Sequence, residues 1–117
     1  PKVLPTLINR WFTDSFISSY PDIIERRMQQ AISTDSEIFI NMFRIYAHTE
    51  MSSWLHKIEF PTLVITGEKD TGSNPKLNKF IADKIPNSRL VILPNYKHSL
   101  LIEASDDIVD NIINFFN

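Results

Sequence analysis

In PTLVITGEKDTGSNP, residues 61–75, a run of apolar and β-branched residues stops at Gly67, and an acid follows three positions later. Short apolar runs of this kind are typical of strands that are covered on both faces of a parallel sheet. The run therefore predicts a strand over 62–66. Asp70 then falls on the loop that follows this strand.

A second apolar run, residues 89–93, predicts another strand. Between the two runs, Asn74 followed by Pro75 is the pattern of a helix start, and we expect the helix to end near Lys84. Strand, helix and strand in this order predict a parallel βαβ unit with a right-handed crossover. The chain closes on an amphipathic helix that we expect Ser105 to cap.

The first half of the chain instead repeats apolar residues at spacings of three to four, which is typical of amphipathic helices. We expect helices over 7–20 and 22–32, and a third one that begins with a capping box formed by Thr34 and Glu37. The period changes near residue 60. The sequence therefore predicts a helical segment, 1–59, followed by an α/β segment, 60–117.

The two predicted strands point the same way, so the loops after them emerge at one edge of the sheet, where open α/β sheets bind their ligands. Asp70 follows the first strand and His98 follows the second. Neighbouring parallel strands are roughly 4.8 Å apart, which allows a carboxylate and an imidazole to reach hydrogen-bond distance. A carboxylate on one ring nitrogen stabilises the imidazolium that forms when the other nitrogen takes a proton. The pair predicts two members of an acyl-transfer triad.

Each of these residues also has a simpler interpretation. An Asp that follows a strand-ending Gly is commonly a turn former or a helix cap. A single His on a loop is commonly a solvated residue. The residues alone leave both interpretations open.

A longer pattern resembles the carboxyl-terminal part of an α/β-hydrolase. It consists of PTLVITG followed by Glu68, Lys69 and Asp70, then PNSRLVILPNYKH ending in His98, then Glu103 and a last helix ending in NIINFF. The resemblance implies that Asp70 is the triad acid and His98 the triad base of an enzyme that hydrolyses a carboxylic ester or lactone. It implies no cofactor and no metal. Lys97 stands where that family usually has Gly, and we expect it to place a cation near the imidazole.

The helical half adds detail to this resemblance. The residues RWFTDSF, 10–16, and YPDIIERR, 20–27, are similar to the cap of 3-oxoadipate enol-lactonases. Such a cap forms an apolar roof over the substrate. We expect most aromatic residues of the helical half to be core, and four are candidates to contact a small-molecule ester or lactone: Trp11, Phe12, Phe43 and Trp54.

The nucleophile that the family requires is missing from this sequence. In α/β-hydrolases the serine lies in a G-x-S-x-G turn, and Gly67 and Gly72, the two glycines of the chain, do not form one. We therefore expect the C-terminal part of a longer hydrolase, inactive alone, whose other core half supplies the serine. The alternative is a non-catalytic interaction module derived from a hydrolase, which forms homo-oligomers through exposed sheet edges.

The composition argues against several other classes. The net charge is −2, and no Lys/Arg cluster is dense enough to favour nucleic acid or an anionic membrane. No apolar run reaches about 18 residues, the length of a membrane span. The absence of cysteine excludes disulfides and fits a cytoplasmic compartment. His48 and His56 lack the spacing of helical metal ligands, so we predict no metal site.

Overall fold

The computed structural model describes residues 3–117, in which a mostly helical half precedes a parallel βαβ unit. A 3₁₀ turn, Leu55–Lys57, lies between the two halves. The remaining elements are, in chain order, α1 (Leu4–Trp11), α2 (Asp14–Ser19), α3 (Pro21–Ser33), α4 (Ser36–His48), β1 (Thr62–Gly67), α5 (Pro75–Lys84), β2 (Ser88–Leu93), α6 (Leu100–Glu103) and α7 (Ser105–Phe116).

The predicted βαβ unit is confirmed. β1 and β2 pair in parallel, in a register that sets Gly67 opposite Leu93, and α5 packs against both strands. Asn74 caps α5, because its side-chain oxygen accepts a hydrogen bond from the Leu77 N–H at 3.0 Å. The two strands therefore end side by side, and the loops after them share one edge of the sheet.

The prediction of one helix over 7–20 is wrong, because the chain breaks between α1 and α2. Phe12 and Thr13 both have extended backbones, and the Thr13 hydroxyl accepts a hydrogen bond from a backbone N–H in the first turn of α2. The break turns the Phe12 ring into a small core with Ile8 and Ile24, where Phe12 is fully buried. Core packing and a local cap thus override a helical pattern that continues across the break.

Two predicted helix caps are also wrong. Asp35, rather than Thr34, caps α4, because its carboxylate accepts two backbone N–H groups of the first turn, whereas the Thr34 hydroxyl donates to a carbonyl of α3. Ser105 is the first residue of α7 and not its cap. The cap position belongs to Ala104, which is buried in the core between β2, α6 and α7. Burial in this core explains why a small apolar residue, and not a polar cap, occupies the position.

The apolar face of α4, which the sequence assigns chiefly to the core, lies exposed in this structure. Few of the described residues, 3–117, pack against this face. The burial that its apolar pattern predicts is therefore not found within these residues. The exposed side chains on this helix are Ile38, Phe39, Ile40, Met42, Phe43, Ile45 and Tyr46.

Candidate active site

The loops after β1 and β2 are joined by hydrogen bonds at the carboxyl edge of the sheet. The Glu68 N–H donates to the Leu93 carbonyl and the Lys69 N–H to the Tyr96 carbonyl, both at 2.9 Å. In return, the Glu68 carboxylate accepts the Asn95 N–H at 2.9 Å. Asn95 has a φ of 67°, a left-handed conformation that Asn tolerates better than most residues. These hydrogen bonds therefore join the two loops into one structural unit.

Gly67 allows the second loop to cross directly over the end of β1. A Cβ atom at this position would overlap the carbonyl oxygens of Tyr96 and Lys97. The φ of Gly67 is not positive, so space rather than backbone freedom requires glycine here. The close approach delivers the segment that carries His98 to the acid loop.

Asp70 is buried, and its two carboxylate oxygens have different partners. Oδ1 accepts the N–H groups of Gly72 at 2.8 Å and Ser73 at 3.0 Å. Oδ2 lies 2.7 Å from Nδ1 of His98. The Thr66 hydroxyl donates to the Ser73 carbonyl at 2.9 Å and fixes the same turn. Asp70 thus forms a turn with one oxygen and contacts His98 with the other.

The His98 ring is held by Asp70 on one side and is about half exposed, with 48% of its side chain accessible. An ionised carboxylate can only accept hydrogen bonds, so Nδ1 carries the ring proton and Nε2 carries the lone pair. A buried carboxylate that orients an imidazole in this tautomer is the arrangement of a general base. Nε2 can take a proton from a group placed beside it and later return that proton.

A cavity of about 360 Å³ lies between α4 and the acid loop and reaches His98. One side is lined by residues of α4, and the other by residues of the turn that Asp70 forms and by His98. A larger cavity of about 510 Å³ lies between α4 and α5, but neither Asp70 nor His98 lines it. The chemistry therefore favours the smaller cavity, which is lined by Met42, Phe43, Tyr46, Gly72, Ser73 and His98.

A second cavity that reaches His98, of about 570 Å³, forms a groove along one face of β1, since Leu63 and Ile65 lie two positions apart on that strand. Its walls are mainly aliphatic and come chiefly from β1, α6 and α7, together with Arg27 of α3. Leu63 and Ile65 of β1 and Leu101 and Ile112 of the helices are among them. His98 thus lines both the cavity under α4 and the mainly aliphatic groove along β1.

The four aromatic candidates are placed differently from one another. Phe43 lines the cavity that reaches His98. Phe12 lies fully buried in the core of the helical half, and Trp11 packs against that core with the Arg27 guanidinium 5.5 Å from its ring centre. Trp54 precedes the 3₁₀ turn, outside the cavity.

The sequence did not predict how the helical half contacts the histidine loop. The Glu103 carboxylate accepts hydrogen bonds from both the N–H and the hydroxyl of Thr13. The Lys97 ammonium, expected near the imidazole, contacts the Asn9 carbonyl at 2.8 Å and the Asp14 carboxylate at 3.2 Å. Its charge is therefore paired with the helical half. A Thr followed by Asp and Ser, a helix-start pattern, was the available signal for the break that creates these contacts.

Residues 3–117 show neither a metal-ligand cluster nor a helix that could span a membrane. No three His, Asp or Glu side chains in this part of the chain cluster as metal ligands do. His48 ends α4 and His56 lies in the 3₁₀ turn. In the same residues, every helix is too short or too polar to cross a bilayer.

The sequence matches known hydrolases over most of its length. The family described as alpha/beta hydrolase fold matches residues 6–105. The chain is 28% identical over 91 residues to 3-oxoadipate enol-lactonase 2 of Acinetobacter baylyi, a match that covers 78% of this chain and 34% of that protein. It is 40% identical over 58 residues to a proline iminopeptidase of Pestalotiopsis fici, covering 50% of this chain and 21% of that protein.

Solved structures show the same fold. The enol-lactonase from Burkholderia xenovorans LB400 superposes with a TM-score of 0.92 at 23% identity, over 98% of this chain and 44% of that one. A thermophilic esterase from Thermogutta terrifontis gives 0.85 at 23% identity, over 97% and 42%. At these identities the likeness concerns the fold. The chain spans about a third of the Acinetobacter lactonase and less than half of either solved relative.

Proposed function

The chain belongs to the α/β-hydrolase fold family and is similar to enol-lactonases, and from this premise we propose that it supplies two members of the triad of a serine hydrolase acting on an ester or lactone. Asp70 would be the acid and His98 the base. The observation that carries the proposal is the 2.7 Å contact between Asp70 Oδ2 and His98 Nδ1. The nucleophile would come from residues outside these 117.

In the proposed reaction, Nε2 of His98 takes the proton of a serine hydroxyl while the serine oxygen attacks the substrate carbonyl. The imidazolium is stabilised by Asp70 and then gives the proton to the leaving oxygen, which for a lactone is the ring oxygen. The acyl-serine ester is hydrolysed by water, with Nε2 again accepting and returning a proton. Asp70 itself stays ionised throughout.

The apolar cavity beside His98 supports a small substrate. Its volume of about 360 Å³ lies at the lower end of the range common for small-molecule sites. Met42, Phe43 and Tyr46 of α4 would cover the apolar part of the ester or lactone, while the reacting carbonyl lies next to His98. We propose that the helical segment, 1–59, acts in this way as a cap over the α/β segment, 60–117.

The groove along β1 supports an incomplete core. A sheet of two strands buries little apolar surface, and independent stability usually needs more strands or packed helices. Leu63 and Ile65 line this groove next to His98. We propose that further core strands pair with the edge of β1 that β2 does not occupy, and bring the serine and the oxyanion donors to the open side of the imidazole.

The proposal is tested by comparing the 117-residue chain with the protein translated from the same reading frame and any coding sequence upstream. Both are assayed with an enol-lactone and with short aryl esters, and both are treated with a fluorophosphonate that labels activated serines. We expect hydrolysis and labelling from the longer protein, and neither from the 117 residues. A longer protein that contains no G-x-S-x-G and is not labelled would contradict the proposal.

The same experiment addresses the non-catalytic alternative, in which the chain is an interaction module. The observation that favours it is the apolar surface exposed on α4 and α7 in the described residues. An interaction module would form oligomers of defined size in gel filtration without hydrolysing any ester. A monomeric, active longer protein would rule it out.

A further inference from the structure

We propose that residues 9–14, the elbow between α1 and α2, position His98 by holding its loop from both sides. The catalytic meaning of this contact rests on the function proposed above. The contact itself is a property of the fold, and it can be measured at the histidine ring without any substrate. Residues of the elbow and their partners would act on catalysis through His98, not on the reacting atoms.

The elbow contacts the residues on either side of the histidine. The residue after it, Ser99, donates its N–H to the Trp11 carbonyl at 2.9 Å. The residue before it, Lys97, places its ammonium 2.8 Å from the Asn9 carbonyl and 3.2 Å from the Asp14 carboxylate. Both neighbours of the histidine are therefore attached to a segment more than 80 residues away in sequence, Ser99 through its backbone and Lys97 through its side chain.

A third contact fixes the far end of the same loop. Glu103 ends α6, and its half-buried carboxylate accepts the Thr13 N–H at 3.1 Å and the Thr13 hydroxyl. Hydrogen bonds to an ionised carboxylate are roughly twice as strong as neutral ones. The segment from Lys97 to Glu103 is thus attached to the elbow at three residues: Lys97, Ser99 and Glu103.

The elbow also reaches the acid loop. The Arg10 side chain donates from Nε to the Thr71 hydroxyl at 3.3 Å, and Thr71 directly follows Asp70. One short segment therefore contacts the loops that carry both members of the dyad.

The break in the helix is what makes these contacts available. The last carbonyls of a helix and the first N–H groups of the next have no partners inside the helices. Asn9 and Trp11 lie in the last turn of α1, and Thr13 precedes α2. In a continuous helix over 7–20 the Asn9 carbonyl would accept the Thr13 N–H, and the Trp11 carbonyl would accept the Ser15 N–H. The break thus exposes the carbonyls and the N–H that bind the histidine loop.

Positioning matters because His98 has limited support of its own. Its side chain is about half exposed and contacts Asp70 through Nδ1. Catalytic groups must be held within about 0.5 Å of their productive geometry by surrounding residues. The elbow provides that support, since it binds the backbone of Ser99 after the ring and the side chain of Lys97 before it.

The test uses Thr13→Val and Glu103→Gln in the full-length protein, with His labelled in ¹⁵N. Solvent exchange of the His98 Nδ1 proton is measured by NMR, together with kcat and KM for ester hydrolysis. We expect exchange to accelerate roughly tenfold, the size that follows from losing a charge-assisted hydrogen bond, and kcat to fall while KM changes little. Thr13→Ser keeps the hydroxyl and should restore both values.

The matched control is Asp83→Asn, which removes an exposed carboxylate paired with Lys79 on α5. If Thr13→Val fails to fold, Lys97→Met tests the same point on the other flank, because it keeps the aliphatic stem. Unchanged exchange at His98 in folded Glu103→Gln and Lys97→Met proteins would overturn the inference. Faster exchange in a protein that hydrolyses no ester would support the inference and contradict the proposed function.

Discussion

Nδ1 of His98 lies 2.7 Å from Oδ2 of Asp70, although 28 positions separate the two residues in the chain. The parallel pairing of β1 and β2 brings their loops together, and Gly67 lets those loops cross without a clash. The other oxygen of Asp70 is already bound by two backbone N–H groups. The carboxylate therefore has one orientation available, and in that orientation it faces the imidazole.

Replacing Asp70 by Asn separates the two jobs of this side chain. The amide oxygen can still accept the N–H groups of Gly72 and Ser73, but the amide nitrogen cannot accept the proton on His98 Nδ1. We expect a folded protein whose kcat/KM for ester hydrolysis falls by about 10²–10⁴-fold in the full-length enzyme. Asp83→Asn is the control. An unaltered rate would leave Asp70 as a turn former only.

Removing the imidazole should have a larger effect. We expect His98→Ala to lower kcat by roughly 10³-fold or more, since no other group would take the serine proton. The measurement is steady-state hydrolysis by the full-length protein, with circular dichroism as a check on folding. His56→Ala, in the 3₁₀ turn, is the matched control and should retain activity. Near-normal hydrolysis by the His98 variant would reject its role as base.

The two glycines give a paired test of the crossing. A methyl group at Gly67 would overlap two carbonyl oxygens, so Gly67→Ala should lower the free energy of unfolding by about 1–3 kcal/mol. At Gly72 the nearest atom to such a methyl is Asp70 Oδ1 at 3.5 Å, an ordinary contact. Gly72→Ala should therefore stay within about 0.5 kcal/mol. The measurement is denaturant unfolding of both variants. Equal losses of unfolding free energy would contradict the close crossing of the second loop over Gly67.

The sequence predicted the features that follow from general geometry. Parallel strands place their following loops at one edge, so the approach of Asp70 and His98 could be predicted without coordinates. The Asn74–Pro75 helix start is equally local, because its cap involves residues three positions apart. The α/β-hydrolase fold followed from these elements and from the resemblance.

The features that could not be predicted from the sequence depend on contacts between distant segments. Apolar spacing continues through Phe12 and Thr13 without Gly or Pro, and the helix-start pattern of Thr, Asp and Ser at 13–15 is the one local mark of the break between α1 and α2. The bond between Thr13 and Glu103 spans 90 positions. The apolar face of α4 shows a different limit. Its pattern predicts burial, but the sequence does not indicate which part of a protein covers it.

Phe43 offers a test of the cavity. Phe43→Ala removes an apolar wall next to His98, so we expect kcat/KM for esters with an apolar acyl group to fall about tenfold, mostly through KM. Esters with the smallest acyl group should be affected less. Ile40→Ala, on the same helix but outside this cavity, is the control. An equal loss for small and large acyl groups would place the substrate elsewhere.

Tyr96 gives a pH-dependent test of how the histidine loop is attached to α7. Its hydroxyl donates to Asp107 Oδ2 at 2.9 Å, and this bond is the main cause that raises the pKa of Tyr96 above its ordinary value of 10.0, with desolvation and the charges of Asp107, Glu103 and Asp106 adding to it. Asp107→Asn should bring that pKa back towards the ordinary value, as measured by phenolate absorbance or ¹³C NMR. Asp110→Asn, on the same helix, should leave it unchanged.

The sign of the effect on stability follows from the raised pKa. Because the folded protein holds the phenol proton more tightly than the unfolded chain, the contribution of Tyr96 is complete below the unfolded pKa, near 10, and is lost as pH rises through the higher folded value. Asp107→Asn should therefore narrow the difference between unfolding free energies at about pH 8 and about pH 11. If the variant and the parent lose the same stability over this range, the Tyr96 hydroxyl does not attach the loop to α7.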